Sequence, residues 1–175
     1  MRTFKSLFLF VVVSVNLLAI SNSQIKNLQV AYSIGKITVA KDGMTFERTL
    51  ASIMLTESSA RTNIDGDDGK SLGPMQIQIP TIRWMGKMIP EIDWVNTLTD
   101  KQLKEKLTSS VIFSCMLAGY YIRLNYNNAI KKKMRKPYFK AISHYNGGWN
   151  NKTYFKRVMK NMKIINRLIA EGKIK

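Results

Sequence analysis

Apolar residues recur at helical spacing along most of this chain. Between Asn27 and Ala40, Leu28, Ala31, Ile34 and Ile37 share one helical face. Lys41-Asp42-Gly43 breaks that pattern. From Thr45 a second stripe follows, with Phe46, Leu50, Ile53 and Glu57 at spacings of four, three and four. Ser58, Ser59 and a polar loop from Asn63 to Pro74, containing Asp65-Gly66-Asp67-Asp68-Gly69, end it. Met75 to Trp84 is short and apolar with Pro80 inside it, which predicts a turn or an irregular strand pair. Thr99 and Asp100 offer caps to one long helix whose face is Leu103, Leu107, Val111, Cys115, Ala118 and Ile122. Pro137 to Tyr145 reads as a further helix, stopped by Asn146-Gly147-Gly148. A last helix is predicted from about Thr153 to Glu171, with Phe155, Val158, Met162, Ile165 and Ile169 along one side and Gly172 closing it. The expected fold is mainly α, helix-dominated, with at most a small β-hairpin near the acidic loop.

The first residues do not fit this scheme. Arg2 and Lys5 precede an apolar run from Ser6 to Ile20, followed by Ser21, Asn22 and Ser23. A short basic region, a hydrophobic stretch and a small-residue exit read as a secretory signal, cut after Ser21 or Ser23. The rival reading is an uncleaved anchor, but the run falls short of the roughly 20 residues a spanning helix needs. We therefore take residues 1–23 as a signal peptide and 24–175 as one domain. At 175 residues and 45% hydrophobic, the chain is long enough for one compact core.

Export gives the single cysteine meaning. Cys115 has no intramolecular disulfide partner, so packing alone must hold the domain. Its neighbours Val111, Ala118 and Ile122 make it a core residue, and a core thiol is a poor nucleophile for a pair with the sole histidine, His144. The net charge is +17, and removal of Arg2 and Lys5 with the signal leaves +15. Such a balance favours a polyanionic partner, which for an exported protein is a cell wall or membrane face more readily than nucleic acid. The densest run, Lys131-Lys132-Lys133-Met134-Arg135-Lys136, lacks the interleaved aromatics that stack on bases and reads as a solvated loop. Lys156, Arg157, Lys160, Lys163 and Arg167 lie off the apolar face of the last helix, the pattern of a core helix with a solvated side. A membrane-surface helix is the rival reading.

Glu57 is the acid that needs explaining. It continues a stripe of core residues, and a carboxyl at the edge of an apolar wall resists ionisation. An acid kept protonated near neutral pH can donate a proton. The rival reading is a structural carboxylate paired with Arg61, one turn on if the helix continues.

Three segments extend the argument: Thr56-Glu57-Ser58, then Gly73-Pro74-Met75-Gln76-Ile77, then Ala141-Ile142-Ser143-His144-Tyr145-Asn146-Gly147-Gly148. Glu57 and Gln76 are nineteen residues apart. In order and spacing these resemble the lysozyme-like catalytic domain of the soluble lytic transglycosylases, over roughly Val30 to Val158. The resemblance implies a lysozyme-like (α+β) domain that cleaves the β-1,4 bond between N-acetylmuramic acid and N-acetylglucosamine of peptidoglycan. Glu57 would protonate the glycosidic oxygen. The muramic acetamido group would assist, and Glu57 would then take the proton of the sugar's own 6-hydroxyl, leaving a 1,6-anhydro end. This is a substrate-assisted exception to the two-carboxylate scheme. Tyr145 would be the phenol beside the acid, Gln76 and Asn146 amides gripping the sugar, and Ser58 and Met75 cleft-lining residues. No cofactor and no metal are implied.

Departures from the family pattern are Pro74, His144 and Gly147, which bear on subsite shape. The small size resembles the accessory transglycosylases of type IV secretion and conjugation machines, which implies a monomer in the periplasm or cell envelope, with proteins of such a machine as partners. Two alternatives stay open. A lysozyme-type muramidase would use Asp65, Asp67 or Asp68 as a second carboxylate holding a water. A cationic wall-binding protein would keep the cleft without activity. The Asn63, Asp65, Asp67 alternation of a calcium loop is incomplete, since Asp68 and Pro74 occupy the glycine and glutamate positions.

Overall fold

The computed structural model describes residues 20–62 and 64–175. Most of the expected signal segment, and Asn63 of the acidic loop, lie outside the described residues. The chain begins with α1 (Asn22–Ile37), whose first turn is closed by a reciprocal capping box between Ser21 and Gln24. Then come α2 (Glu47–Ser58), the short strands β1 (Asp65–Gly66), β2 (Ser71–Leu72) and β3 (Ile77–Gln78), and α3 (Ile79–Met88). A 3-10 segment over Pro90–Thr97 leads to α4 (Asp100–Ser109), α5 (Val111–Lys131), α6 (Pro137–Tyr145) and α7 (Lys152–Ala170). Helices dominate, as the sequence pattern predicts. The strands form one antiparallel sheet in the order β1-β2-β3, with Asp65 opposite Leu72 and Leu72 opposite Ile77.

α2 is the centre of the molecule. It packs between α1 and α7, and Leu50, Ala51, Ile53 and Met54 are fully buried. Its small polar residues are buried too: Ser52, Thr56 and Ser58 return their hydroxyls to the helix's own backbone, at the carbonyls of Arg48, Ser52 and Met54, and Thr49 pairs with the Tyr138 phenol at 2.7 Å. That local pairing removes the cost of placing hydroxyls in a core. The helix ends at Ser59, which takes a left-handed conformation (φ 54°). Arg61 therefore leaves the helical path and is exposed.

Three expectations are corrected. Met75 to Trp84 meets the expected turn or irregular strand only in its first residues: Met75 and Gln76 lie in a turn and Ile77–Gln78 form β3. From Ile79 the segment is α3, with Pro80 in the first helical turn, where its missing N–H costs nothing. The expected long helix from Thr99 is two helices meeting at 106°. Ser110 makes the corner. Its N–H ends α4 on the Lys106 carbonyl, while its hydroxyl accepts from the Phe113 N–H to start α5. A continuous stripe from Leu103 to Ile122 carries no sign of that corner, because each helix buries its own part of it. Finally, α7 is rotated from the predicted face. Its buried residues are Tyr154, Val158, Ile165 and Leu168, while Phe155, Met162 and Ile169 are only half-buried. The rotation brings Asn161 to the Thr56 hydroxyl at 2.9 Å and Tyr154 to the end of α2.

Candidate active site

A cleft of about 700 Å³ opens between the small sheet and the helices. One wall is the sheet side: Asp67, Ser71, Gln76, Ile77, Gln78 and Thr81. The opposite wall comes from Tyr121 of α5 and the end of α6, where His144 and Tyr145 pass into Asn146, Gly147 and Gly148. Glu57 projects into it from the last turn of α2.

Glu57 is held, not loose. Its Oε1 accepts a 2.5 Å hydrogen bond from the phenol of Tyr154. Arg157, one turn further along α7 from Tyr154, donates to the Thr56 carbonyl at 3.2 Å, one of the helix-end carbonyls left without an intrahelical donor. Burial raises the Glu57 carboxyl above its ordinary range; the Tyr154 hydrogen bond and the Arg157 charge partly offset this, and the charge of Asp67 adds to it. The net effect favours the protonated acid. Tyr154 and Tyr145 are themselves pushed well above the usual phenol range, by burial first and then by the Glu57 charge, so both remain O–H donors.

The phenol beside the acid is thus Tyr154, which the sequence reading passed over. Tyr145, expected in that place, instead donates to the Met75 carbonyl at 2.9 Å and stacks parallel to Tyr154 with ring centroids 6.4 Å apart. It ties the α6 end to the loop after β2. Within that loop Gln76 has a left-handed backbone (φ 49°), and its Nε2 donates to the carbonyls of Ile64 and Gly73. Its Oε1 sits where a side chain on Gly66 would have to go, 2.2 Å from that Cβ position. Gln76 lines the cleft, but its amide nitrogen is committed to holding the acidic loop against the sheet. Gly73 (φ 67°) is required there: a Cβ would lie 2.1 Å from the Leu107 carbonyl oxygen.

Of the expected site residues, Glu57, Gln76, Tyr145 and Asn146 reach the cleft. Ser58 and Met75 lie behind it: both are buried, with the Ser58 hydroxyl on Met54. The Asn146 carbonyl accepts from the Asn151 amide, which also caps α7 through Tyr154 N–H. One side chain therefore sets both the cleft-wall residue Asn146 and the helix start that aims Tyr154. Asp67 lines the cleft and accepts from the Ser71 hydroxyl at 2.8 Å. Cys115 is buried, with its thiol pushed up by burial, which opposes a nucleophilic role. Among the described residues no three His, Cys, Asp or Glu side chains gather into a metal-holding group.

No family model matches the chain, and neither the curated proteins nor the solved structures hold a match. The functional reading therefore rests on the cleft itself. A half-buried acid with a donor phenol, surrounded by hydroxyl and amide side chains, can transfer a proton to a neutral, hydroxyl-rich ligand. Tyr154 had a sequence signal of a kind: it is the tyrosine within the first turn of the last helix. Its role depends on the rotation of α7, which heptad-like counting from Phe155 places one residue off.

Proposed function

We propose that this protein is an exported lytic transglycosylase that cleaves peptidoglycan glycan strands, with Glu57 as its single acid and base. The observation that carries the reading is Glu57 itself: a carboxyl raised by burial, fixed by Tyr154 in a polar cleft. Protonated Glu57 gives its proton to the glycosidic oxygen as the C1–O bond breaks, and the acetamido oxygen of the muramic sugar takes the open C1 position. The resulting carboxylate then accepts the 6-hydroxyl proton while O6 displaces the acetamido oxygen from C1. Atoms balance without water, and the acid is regenerated. Intramolecular attack by a pre-oriented hydroxyl competes well against solvent.

A cationic surface suits an anionic wall. Lys156, Lys160, Lys163 and Arg167 are all exposed along α7. Opening the wall locally for a secretion or conjugation machine is the cellular role this reading suggests; unchanged transfer or secretion in a gene deletion would remove it.

Asp67 favours one second reading, a lysozyme-type hydrolase. It lines the same cleft as Glu57 and its charge raises the Glu57 carboxyl, which makes it the candidate second carboxylate for holding a water. Mass spectrometry of digested peptidoglycan separates the cases. Anhydro-muramic ends are expected; reducing ends would show the hydrolase, and no new ends would leave a wall-binding protein. Glu57→Gln should lower turnover by about 10²–10⁴-fold, the usual worth of a general acid, with wall binding kept.

A further inference from the structure

The cleft does not end at the residues around Glu57. Thr81 lines it from α3, and the same helix face carries Trp84 three residues on and Met88 four beyond that. Trp84 is 41% exposed and Met88 54%, although both are large and apolar. The Trp84 ring is not isolated. It meets Tyr121, itself a cleft residue, edge to face at 6.4 Å. Tyr121 packs in turn against Tyr145 at 5.4 Å and His144 at 6.5 Å, and its hydroxyl reaches toward the His144 carbonyl at 3.4 Å. α3 itself is anchored: Arg83 donates to the carbonyls of Val95 and Leu98, each at 2.6 Å, and pairs with Asp100 at 2.7 Å. Trp84 is therefore a rigidly mounted, half-open indole at the end of a polar cleft.

We propose that Trp84, backed by Tyr121, is a sugar-stacking subsite that holds a β-linked N-acetylated pyranose of the strand away from the bond being cleaved. The physical reason is the two-faced nature of such a sugar. Its ring C–H groups form a flat apolar face that covers an indole, while its equatorial hydroxyl and acetamido groups point sideways toward polar partners. Thr81 and Gln78, both cleft residues on the same side, supply those partners. A glycan strand is the occupant because the ledge is continuous with the cleft through Thr81 and Tyr121, so one extended chain of sugars can lie along both. A flat protein partner would leave the polar cleft beside it unfilled.

The inference rests on the proposed glycan reading but is tested apart from turnover. The experiment is a tryptophan-fluorescence titration of the full domain carrying Glu57→Gln, using purified N-acetylglucosamine–N-acetylmuramic acid oligomers of short and long defined length. Long oligomers are expected to change the emission saturably. Trp84→Ala is expected to weaken their binding about tenfold, with little effect on the shortest oligomers, while Trp94→Ala, a similarly exposed tryptophan outside the cleft, changes nothing. A domain keeping Trp84 as its sole tryptophan (Trp94→Phe, Trp149→Phe) should report the same transition directly. Unchanged affinity of a folded Trp84→Ala protein, or no spectral response from the sole-Trp84 domain at saturation, overturns the subsite. Oligomer binding through Trp84 by a Glu57-intact protein that releases no new ends leaves the subsite standing and overturns the cleavage reading instead.

Discussion

The phenol of Tyr154 donates a 2.5 Å hydrogen bond to Glu57, 97 residues earlier in the chain. Two helices that pack side by side thus complete one proton-handling unit, with the acid on the last turn of α2 and its partner on the first turn of α7. Tyr154→Phe keeps the ring and removes only the donor. That donor favours the carboxylate, so its loss should raise the Glu57 carboxyl further. The high-pH limb of the rate profile, where the acid loses its proton, should move to higher pH. The rate at its optimum should fall about 10- to 100-fold, since a hydrogen bond to a charged group is worth about 1.5–3 kcal/mol. A pH–rate profile of both proteins reads the shift and the loss separately.

Asp67 acts in the opposite sense. Its charge raises the Glu57 carboxyl, so Asp67→Asn should move the same limb to lower pH. The products decide its chemistry. In the transglycosylase reading anhydro ends continue to form in Asp67→Asn, whereas in the hydrolase reading the release of reducing ends stops.

Glu57 also bears on stability. Its folded carboxyl is raised above the unfolded value of 4.5, so the folded state holds the proton more tightly. Its contribution is fully present below that unfolded value and is lost as pH rises through the folded one. Glu57→Gln removes this loss while keeping an acceptor for Tyr154. Its melting temperature should exceed the parent's at pH 8 and converge with it near pH 4, each recovered kcal/mol appearing as about 2–4 °C. A thermal melt at both pH values checks it; a lower melting temperature at pH 8 would contradict an acid whose ionised form is disfavoured by burial.

Gly73 joins the sheet to α4. A methyl group there meets the Leu107 carbonyl at 2.1 Å and holds an unfavourable φ of 67°. Gly73→Ala should cost about 2–4 kcal/mol, seen as a lower denaturation midpoint. Activity should fall with it, because the Met75 carbonyl that anchors Tyr145 is two residues away.

Much of this protein can be read from its sequence alone. The helical class, the burial of Leu50 and Ile53, the stop at Gly147-Gly148 and the singling out of Glu57 all follow from local periodicity and turn chemistry, which act over a few residues. What the tertiary structure decided is long-range. The corner at Ser110 lies inside an unbroken apolar stripe, and the start of α3 lies at a proline that also suits a turn. The choice of Tyr154 over Tyr145 depends on how α7 rotates about its axis as it packs on α2. A stripe wide enough to include Tyr154, Phe155 and Val158 permits either rotation in isolation. Only close packing against the end of α2, with Asn161 on Thr56 and Arg157 on its carbonyl, selects the one that places a phenol on the acid.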